Sequence, residues 1–430
     1  MTDKKLIPER WVVHHDNAGT TVKENDKWKN LHSPSWCPVP FNTISWHPSG
    51  IVSRCMMSDD PMGTSHESDV MQELRKNMLA GKWDTHGCLN CLQKERNGFK
   101  SQRMNWLHHD FRERLGDPEP YTNPKITGNK ISHLFVNFSN VCNFKCRMCN
   151  ANFSNSLIPE NKHMYSLFPE EYHKVPLQQT KNFNNINEYL EATPEVLDGI
   201  TSIWMTGGEP FMDDSPYKLM ELIEEYGHPE KIKMVITTNG SKLDFNKLSK
   251  FNKLKSLILD ISIDAVGPMF EYMRSNGVFT WSQMEATCGQ LKNFKETNKE
   301  WFKFQINSSY QIFNYDNTWD FLEFIDDHEC DSNMRLVVYP EHLRAGNLPQ
   351  SFKNEAYAMC DKIELRYGNK DQHQIKMLDD IRQALSVEEK HYKSFKRVVT
   401  EQDKFRGKYL YEYNEKLGEL LYGTKQQCLF

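Results

Sequence analysis

Three cysteines, Cys142, Cys146 and Cys149, lie close together near the middle of the chain. At these spacings the backbone between them must curl, so the three thiolates face one compact object. A structural zinc ion usually takes four protein ligands, commonly two C-x2-C pairs, and this loop offers three thiolates and no adjacent histidine. The donor set therefore favours an iron–sulfur cube with one metal corner left open for another ligand.

A second set of four cysteines lies nearer the N-terminus: Cys37, Cys55, Cys88 and Cys91. Their C-x17-C and C-x32-C-x2-C spacings indicate a second metal site. On spacing alone, zinc and an iron–sulfur cluster are equally good interpretations. The remaining cysteines are isolated and are expected to be small buried apolar residues. They are Cys288, Cys330, Cys360 and Cys428.

Two motifs together resemble those of the radical SAM superfamily. The first is the C-x3-C-x2-C loop, and the second is residues 206–210, Thr-Gly-Gly-Glu-Pro. The resemblance implies that the open iron binds the amine and carboxylate of S-adenosylmethionine (SAM) and passes an electron to its sulfonium. The resulting 5′-deoxyadenosyl radical abstracts hydrogen from unactivated carbon. The family usually has an aromatic residue near adenine where this chain has Met148, whose polarizable thioether can still pack on a purine.

The same resemblance implies further contacts with SAM. Gly207 and Gly208 lack a Cβ, which permits a ligand to approach the backbone closely. Glu209, which precedes Pro210, is expected to accept from the SAM ammonium in a charge-assisted contact. Arg274 stands where related enzymes keep an arginine for the SAM carboxylate, and a surface salt bridge is its alternative role.

Polar residues at the ends of other apolar runs complete the expected SAM site. Ser262 and Asp264 are expected near the ribose, and Asn239 and Asn307 near other polar groups of SAM. Each of the four could instead be an ordinary cap or turn residue, which is the commoner use of Ser, Asn and Asp.

The N-terminal cysteines resemble the opening signature of SPASM and twitch domains, the auxiliary-cluster modules of radical SAM enzymes. Gly50 fits that signature between Cys37 and Cys55, and residues 93–102 contain no further cysteine. The resemblance is therefore to the shorter twitch domain, and it implies a second 4Fe–4S cluster held by all four cysteines. Twitch domains normally follow the barrel, whereas this one precedes it, as in the N-terminal-twitch branch that the chain resembles.

The elements that must position these residues follow an α/β pattern. From residue 131, six apolar strand-like runs alternate with longer helical stretches, which is typical of a parallel sheet. The runs are 131–138, 200–205, 232–237, 256–263, 302–309 and 334–339. The resemblance implies a partial (β/α)6 TIM-like barrel with its site at the carboxyl ends of the strands.

The predicted organisation has five parts. They are an N-terminal arm at 1–35, a small α+β twitch domain at 36–107, a linker at 108–130, the radical SAM barrel at 131–340 and a C-terminal helical region at 341–430. In the twitch domain, a predicted hairpin with Pro48 and Ser49 at its turn would put Cys55 opposite Asn42. The C-terminal helices are expected to pack against the barrel rather than carry chemistry.

Composition and charge limit the expected partners. The net charge of -5 and the pI near 6.4 argue against a general nucleic-acid or membrane-surface binder. Without a long apolar run or a signal-like N-terminus, a cytoplasmic protein is expected. The expected partners are a peptide or small-molecule substrate and an electron donor such as flavodoxin or ferredoxin.

The predicted reaction is a net two-electron oxidation at carbon, such as dehydrogenation or cross-linking, because an auxiliary cluster can accept the electron left behind. One alternative is a redox-neutral epimerisation or rearrangement, in which a lone cysteine could return hydrogen to the substrate radical. The other is a metal-stabilised binding protein without catalysis. Glu209 and the open cluster corner argue against this last interpretation.

Overall fold

A computed structural model describes most of the chain from residue 35 onward. The described residues are 35–56, 58, 62–63, 65–82, 87–89, 91–92, 101–103, 106, 131–172, 186–337, 339–367, 377–387 and 390–423, with the backbone alone of 12–16, 19–23 and 372–376. Cys428 and the predicted linker, 108–130, lie outside these ranges. The predicted domain boundaries therefore stay a prediction.

Within the described residues, the strands form a two-stranded and an eight-stranded sheet. In chain order they are β1 (Val12–Asp16), β2 (Gly19–Lys23), β3 (Thr43–Trp46), β4 (Val52–Ser53), β5 (His133–Asn137), β6 (Ser202–Thr206), β7 (Lys233–Thr238), β8 (Ser256–Ser262), β9 (Phe302–Tyr310) and β10 (Asp331–Leu336). Strands β1 and β2 pair as an antiparallel hairpin within the N-terminal arm. The larger sheet has the order β10-β9-β8-β7-β6-β5-β3-β4.

Strands β5 to β10 lie side by side in chain order, as a (β/α)6 partial barrel requires. Strands β8 and β9 pair in parallel, as do β9 and β10, so the predicted mostly parallel α/β fold is confirmed. Strands β5 to β9 agree closely with the predicted runs. Strand β10 begins earlier than predicted. The prediction missed its first half, Asp331 to Asn333, because these residues are polar and are exposed or half-buried.

Helices connect the strands and make up most of the C-terminal region. The α-helices of four or more residues in the described chain are Val39–Asn42, Asp69–Leu79, Ile158–Leu167, Ile186–Ala192, Glu195–Gly199, Ser215–Tyr226, Phe245–Leu248, Trp281–Thr297, Thr318–Asp327, Gln350–Tyr367, Gln372–Leu385, Tyr392–Arg406 and Glu415–Tyr422. A π-helical turn, Glu271–Ser275, contains Arg274. The helix Trp281–Thr297, which connects β8 to β9, begins at a capping box formed by Thr280 and Gln283.

Strand β3 pairs in parallel with β5 and antiparallel with β4. In the hairpin, Ser45 lies opposite Ser53 and Trp46 opposite Val52, a register one residue away from the predicted one. The predicted pairing of Cys55 with Asn42 is therefore wrong by one residue. The turn contains three residues rather than two, because Gly50 adopts φ 78° and His47 closes the turn on Ile51.

The chain divides into two compact units. The first comprises residues 1–138, 180–205 and 215–234, and the second comprises 139–179, 206–214 and 235–430. The four N-terminal cysteines belong to the first unit, and the three-cysteine loop with every predicted SAM contact belongs to the second. Within the described ranges, no helix is both long and apolar enough to cross a membrane.

Candidate active site

The cysteine loop, residues 139–154, follows β5 and is fixed by its own central side chain. Phe144 is fully buried, and its ring centre lies 6.3 Å from that of Phe270. Ser154 Oγ donates to the Phe144 carbonyl at 2.8 Å, and Cys149 N–H donates to the Cys146 carbonyl at 3.1 Å. Burial of the phenyl ring therefore anchors the loop in the protein core, whereas all three cysteines are half-buried.

The three thiols of the loop influence one another. Burial raises the pKa of Cys142 to about 12, and the nearby Cys146 thiol adds to the shift. Burial also raises the pKa of Cys149, with further contributions from Cys146 and Cys142. For Cys146, burial raises the pKa and the Arg274 guanidinium beside it opposes the shift. The three thiols are therefore close enough to influence one another's ionisation.

These residues fit an iron–sulfur cluster. Phe144 N–H points to Cys142 Sγ at 3.4 Å, and Asn239 Nδ2 lies 4.0 Å from the same sulfur. Donors directed at cysteine sulfur are among the groups that tune such clusters. Among the described residues, no three His, Cys, Asp or Glu side chains converge on a single metal ion. A cube does not require such convergence, because each thiolate binds a different iron.

Gly207 and Gly208, at the end of β6, both have positive φ, 80° and 57°. It is the cysteine loop itself that comes close to Gly208: a Cβ there would lie 2.5 Å from the Val141 carbonyl oxygen and 2.7 Å from that of Ser139. Gly208 N–H donates to the Phe153 carbonyl at 3.1 Å. The Gly-Gly turn therefore docks the cysteine loop against the sheet.

Replacing Gly208 with alanine is expected to destabilise the protein and displace the cysteine loop. The left-handed conformation alone costs about 1 to 2 kcal/mol for a residue with a Cβ, and the clash is with backbone atoms that cannot rotate away. Thermal unfolding and iron content after reconstitution measure the two effects. Gly289→Ala is the matched control, because a Cβ there meets nothing within 4 Å in the helix Trp281–Thr297. Equal iron content in both variants would contradict the docking role.

Glu209 is a buried carboxylate held by three donors. Thr238 Oγ1 donates to Oε1 at 2.6 Å, Asn239 N–H to Oε2 at 2.6 Å and Phe211 N–H to Oε1 at 3.2 Å. Burial raises its pKa, and these three hydrogen bonds oppose the shift. Pro210, also buried, begins the short 3-10 helix that Glu209 caps.

Asn239 links Glu209 to the cysteine loop. Its Nδ2 donates to Asn143 Oδ1 at 2.9 Å, and Asn143 Nδ2 in turn donates to Ser241 Oγ at 2.9 Å. The ends of β6 and β7 are thereby joined to the loop through polar side chains. The structure brings Glu209 and Asn239 together beside the cysteines, and their roles toward SAM stay predictions.

Asp264 and Arg274, both predicted SAM contacts, are partners of each other. Arg274 Nη2 and Nε each lie 2.8 Å from an oxygen of Asp264, and the Asp264 side chain is fully buried. Ser309 N–H donates to the same carboxylate at 2.8 Å. Arg274 does form a salt bridge, but it is buried beside Cys146 rather than on the surface. A guanidinium has five N–H donors, and this pairing leaves some of them for another anion.

The other predicted contacts fall in the same unit. Ser262 lies opposite Asn307 across the β8–β9 pair. Met148 lines a cavity of about 40 Å³ together with Cys149, Tyr172 and Tyr339. That volume accommodates a few water molecules.

In the first unit, three of the four N-terminal cysteines are electrostatically linked. Burial raises the pKa of Cys37, and the thiols of Cys55 and Cys88 add to the shift. Cys88 and Cys91 lie on one turn, in which Leu92 N–H donates to the Cys88 carbonyl at 3.0 Å. The set therefore stays a candidate metal site.

Comparison with known proteins matches the middle of the chain to one family. Residues 136–303, which include the cysteine loop, Glu209, Asn239, Asp264 and Arg274, match the Radical SAM superfamily. The chain contains a radical SAM domain. A radical SAM domain implies a 4Fe–4S cluster and SAM, in agreement with the donor set of the cysteine loop.

Several proteins resemble this radical SAM chain over part of their length. A GTP 3′,8-cyclase of Helicobacter pylori is 22% identical over 55% of this chain and 64% of that protein. The radical SAM cyclopropyl synthase TigE of Paramaledivibacter caminithermalis is 24% identical over 52% of this chain and 45% of that protein. A solved structure of histidine-tagged anSMEcpe with bound AdoMet has a TM-score of 0.39 and 19% identity, covering 55% of this chain and 62% of that one. The chain thus spans less than two thirds of each of these three proteins.

Sequence reasoning missed polar residues buried in the second unit. Asp260, within β8, accepts from Gln305 Nε2 at 2.8 Å and from Thr237 Oγ1 at 3.2 Å. An acidic residue within an otherwise apolar strand was the sequence feature that could have identified Asp260 as a buried polar residue. Arg147 and Asp403 form a buried ion pair at 2.5 Å, and no local pattern connects positions so far apart in the chain.

Proposed function

We propose that this radical SAM enzyme cleaves SAM reductively and uses the 5′-deoxyadenosyl radical to take hydrogen from a substrate carbon. The outcome is a net oxidation, either a dehydrogenation or a cross-link. The observation that carries the proposal is the joining of the cysteine loop to the buried carboxylate of Glu209 through Asn239. A cluster with an open iron and a SAM-binding carboxylate must be neighbours in such an enzyme.

The residues of this site have separate roles in the proposal. Cys142, Cys146 and Cys149 hold a 4Fe–4S cluster, which supplies the electron for SAM cleavage when bound. Glu209 accepts from the SAM ammonium, and the N–H groups of Arg274 not used by Asp264 donate to the SAM carboxylate. These two contacts would hold the amino-acid part of SAM beside the cysteine loop.

Other SAM contacts follow from the burial and pairing of the remaining polar residues. Asp264 contacts Arg274 through both carboxylate oxygens and thereby fixes the orientation of the guanidinium group. Ser262 and Asn307, neighbours across β8 and β9, bind polar groups of the nucleoside. Met148, half-buried beside the cavity described above, packs on the adenine.

Cys37, Cys55, Cys88 and Cys91 would hold a second 4Fe–4S cluster, which would supply an acceptor for the electron left on the substrate. The electrostatic influence of Cys55 and Cys88 on Cys37, within one compact unit, supports this assignment. A flavodoxin or ferredoxin supplies the reducing electron, and the substrate is a peptide or a small molecule. The names of two relatives, a cyclase and a cyclopropyl synthase, denote ring formation and support a bond-forming outcome over dehydrogenation.

Iron analysis tests the two-cluster proposal. Protein reconstituted with iron and sulfide in the absence of oxygen is expected to bind about eight irons, as two cubes of four. Alanine at Cys142, Cys146 and Cys149 should halve that content, because the other four cysteines are in a separate unit. Dithionite should then release 5′-deoxyadenosine from SAM in the unaltered protein and not in Cys146→Ala. Zinc at the N-terminal cysteines under these conditions would contradict the auxiliary cluster.

A further inference from the structure

Arg147 lies between two of the proposed cluster ligands, and its side chain points into the protein interior. Its N–H donates to the Met273 carbonyl at 2.8 Å, and its Nε donates to the Tyr272 carbonyl at 3.0 Å. The guanidinium carbon lies 3.6 Å from the centre of the Tyr272 ring. Arg147 Nη2 lies 2.5 Å from Asp403 Oδ1, and both side chains are fully buried.

Asp403, on the helix Tyr392–Arg406, is surrounded by donors. Tyr272 Oη donates to it at 3.1 Å and Leu410 N–H at 2.9 Å. Tyr422 Oη donates to the same carboxylate. A buried carboxylate with this many partners has one well-defined position, and so does the arginine paired with it.

Tyr272 and Met273 directly precede Arg274 in the π-helical turn Glu271–Ser275. The contacts of Arg147 therefore join the turn that carries Arg274 to the loop that carries Cys146. Asp403 joins both of them to the C-terminal helices. The distance between the cluster ligands and the SAM-binding arginine depends on this set of contacts.

We propose that Arg147 and Asp403 are positioning residues of the SAM-cleaving site, an inference that rests on the proposed function. Their ion pair locks the cysteine loop against the turn that carries Arg274. The C-terminal helix Tyr392–Arg406 is thus part of the support of the site rather than packing alone. Partners one step removed from a metal ligand orient the ligand, and their loss commonly lowers affinity or activity.

The same helix provides a matched control. Arg406 pairs with Glu160 through two contacts of 2.8 Å, and both side chains are buried. This second ion pair joins the helix Tyr392–Arg406 to the helix Ile158–Leu167, which contacts the cysteine loop through Asn161, and not to the turn that carries Arg274. Breaking either pair leaves a buried cation without its carboxylate, so the two losses in stability should be similar.

The experiment compares Asp403→Asn with Glu160→Gln, both near-isosteric, in protein reconstituted without oxygen. Both are expected to lower the thermal midpoint of the iron-free protein. Asp403→Asn alone should lower SAM affinity about tenfold or more and change the SAM-dependent EPR spectrum of the reduced cluster. Tyr422→Phe, which removes one donor to Asp403 and no charge, should lower SAM affinity less, with little loss of stability.

Two results would overturn the positioning role. One is SAM affinity in Asp403→Asn equal to that of the unaltered protein, and the other is an equal loss of SAM affinity in Glu160→Gln. If Asp403→Asn does not fold, Tyr422→Phe decides, because unchanged SAM affinity there contradicts the proposal. Unaltered protein that binds neither iron nor SAM would instead refute the proposed function, so the two failures are distinguishable.

Discussion

Alanine at both Cys88 and Cys91 is expected to preserve dithionite-driven release of 5′-deoxyadenosine and to abolish product formation. In the proposed function, three cysteines leave an iron of the cysteine-loop cluster open for SAM, whereas four would saturate an N-terminal cluster. A saturated cluster can transfer electrons or support the fold but cannot bind SAM. The two cysteine sets also lie in different compact units, so the substitutions should leave the SAM site intact.

The uncoupled SAM assay needs no known substrate, so the first half of this prediction can be measured directly. Cys146→Ala is the inactive control, and Cys330→Ala, at a half-buried cysteine outside both sets, controls for the loss of a thiol. Thermal unfolding and SAM binding establish that the double variant is folded. Abolished cleavage in a folded, SAM-binding variant would mean that the N-terminal cluster relays electrons inward, contrary to the proposed division of roles.

The barrel could be predicted from sequence because its strands carry a strong local signal. In β8, Leu257, Leu259 and Ile261 are fully buried, and a run of such residues is unambiguous without any knowledge of the neighbouring strands. Strand β10 was predicted less well because it forms one edge of the sheet and begins with polar residues. The predicted hairpin register was wrong by one residue, because a glycine at position 50 does not by itself specify the backbone conformation of the turn.

The parts of the candidate site that lie in contiguous motifs could be predicted from the sequence. The contacts between segments that are far apart in the chain could not. The cysteine loop and Glu209 belong to contiguous motifs, and the structure joins them through Asn239. The pairing of Asp264 with Arg274 was missed because each residue was assigned separately to SAM. The Arg147–Asp403 pair depends on a helix far along the chain, which sequence analysis had predicted only to pack.

Glu209→Ala is expected to weaken SAM binding by about 2 to 5 kcal/mol, because a buried charge-assisted partner of the ammonium is lost. The substitution also removes the acceptor of Thr238 Oγ1 and of Asn239 N–H, and Asn239 contacts the cysteine loop. Part of any loss could therefore come from a displaced loop. Glu285→Ala, at an exposed glutamate on the helix Trp281–Thr297, controls for the loss of an acidic residue.

A second ligand separates the direct contact from the loop effect. Methylthioadenosine keeps the nucleoside and sulfur of SAM but lacks the amine and carboxylate, so it has no ammonium for Glu209 to accept from. If Glu209 contacts the ammonium, Glu209→Ala should lose affinity for SAM and retain most of its affinity for methylthioadenosine. Isothermal titration of both ligands into reconstituted protein measures the difference. An equal loss for the two ligands would show that Glu209 serves the cysteine loop and not the SAM amine.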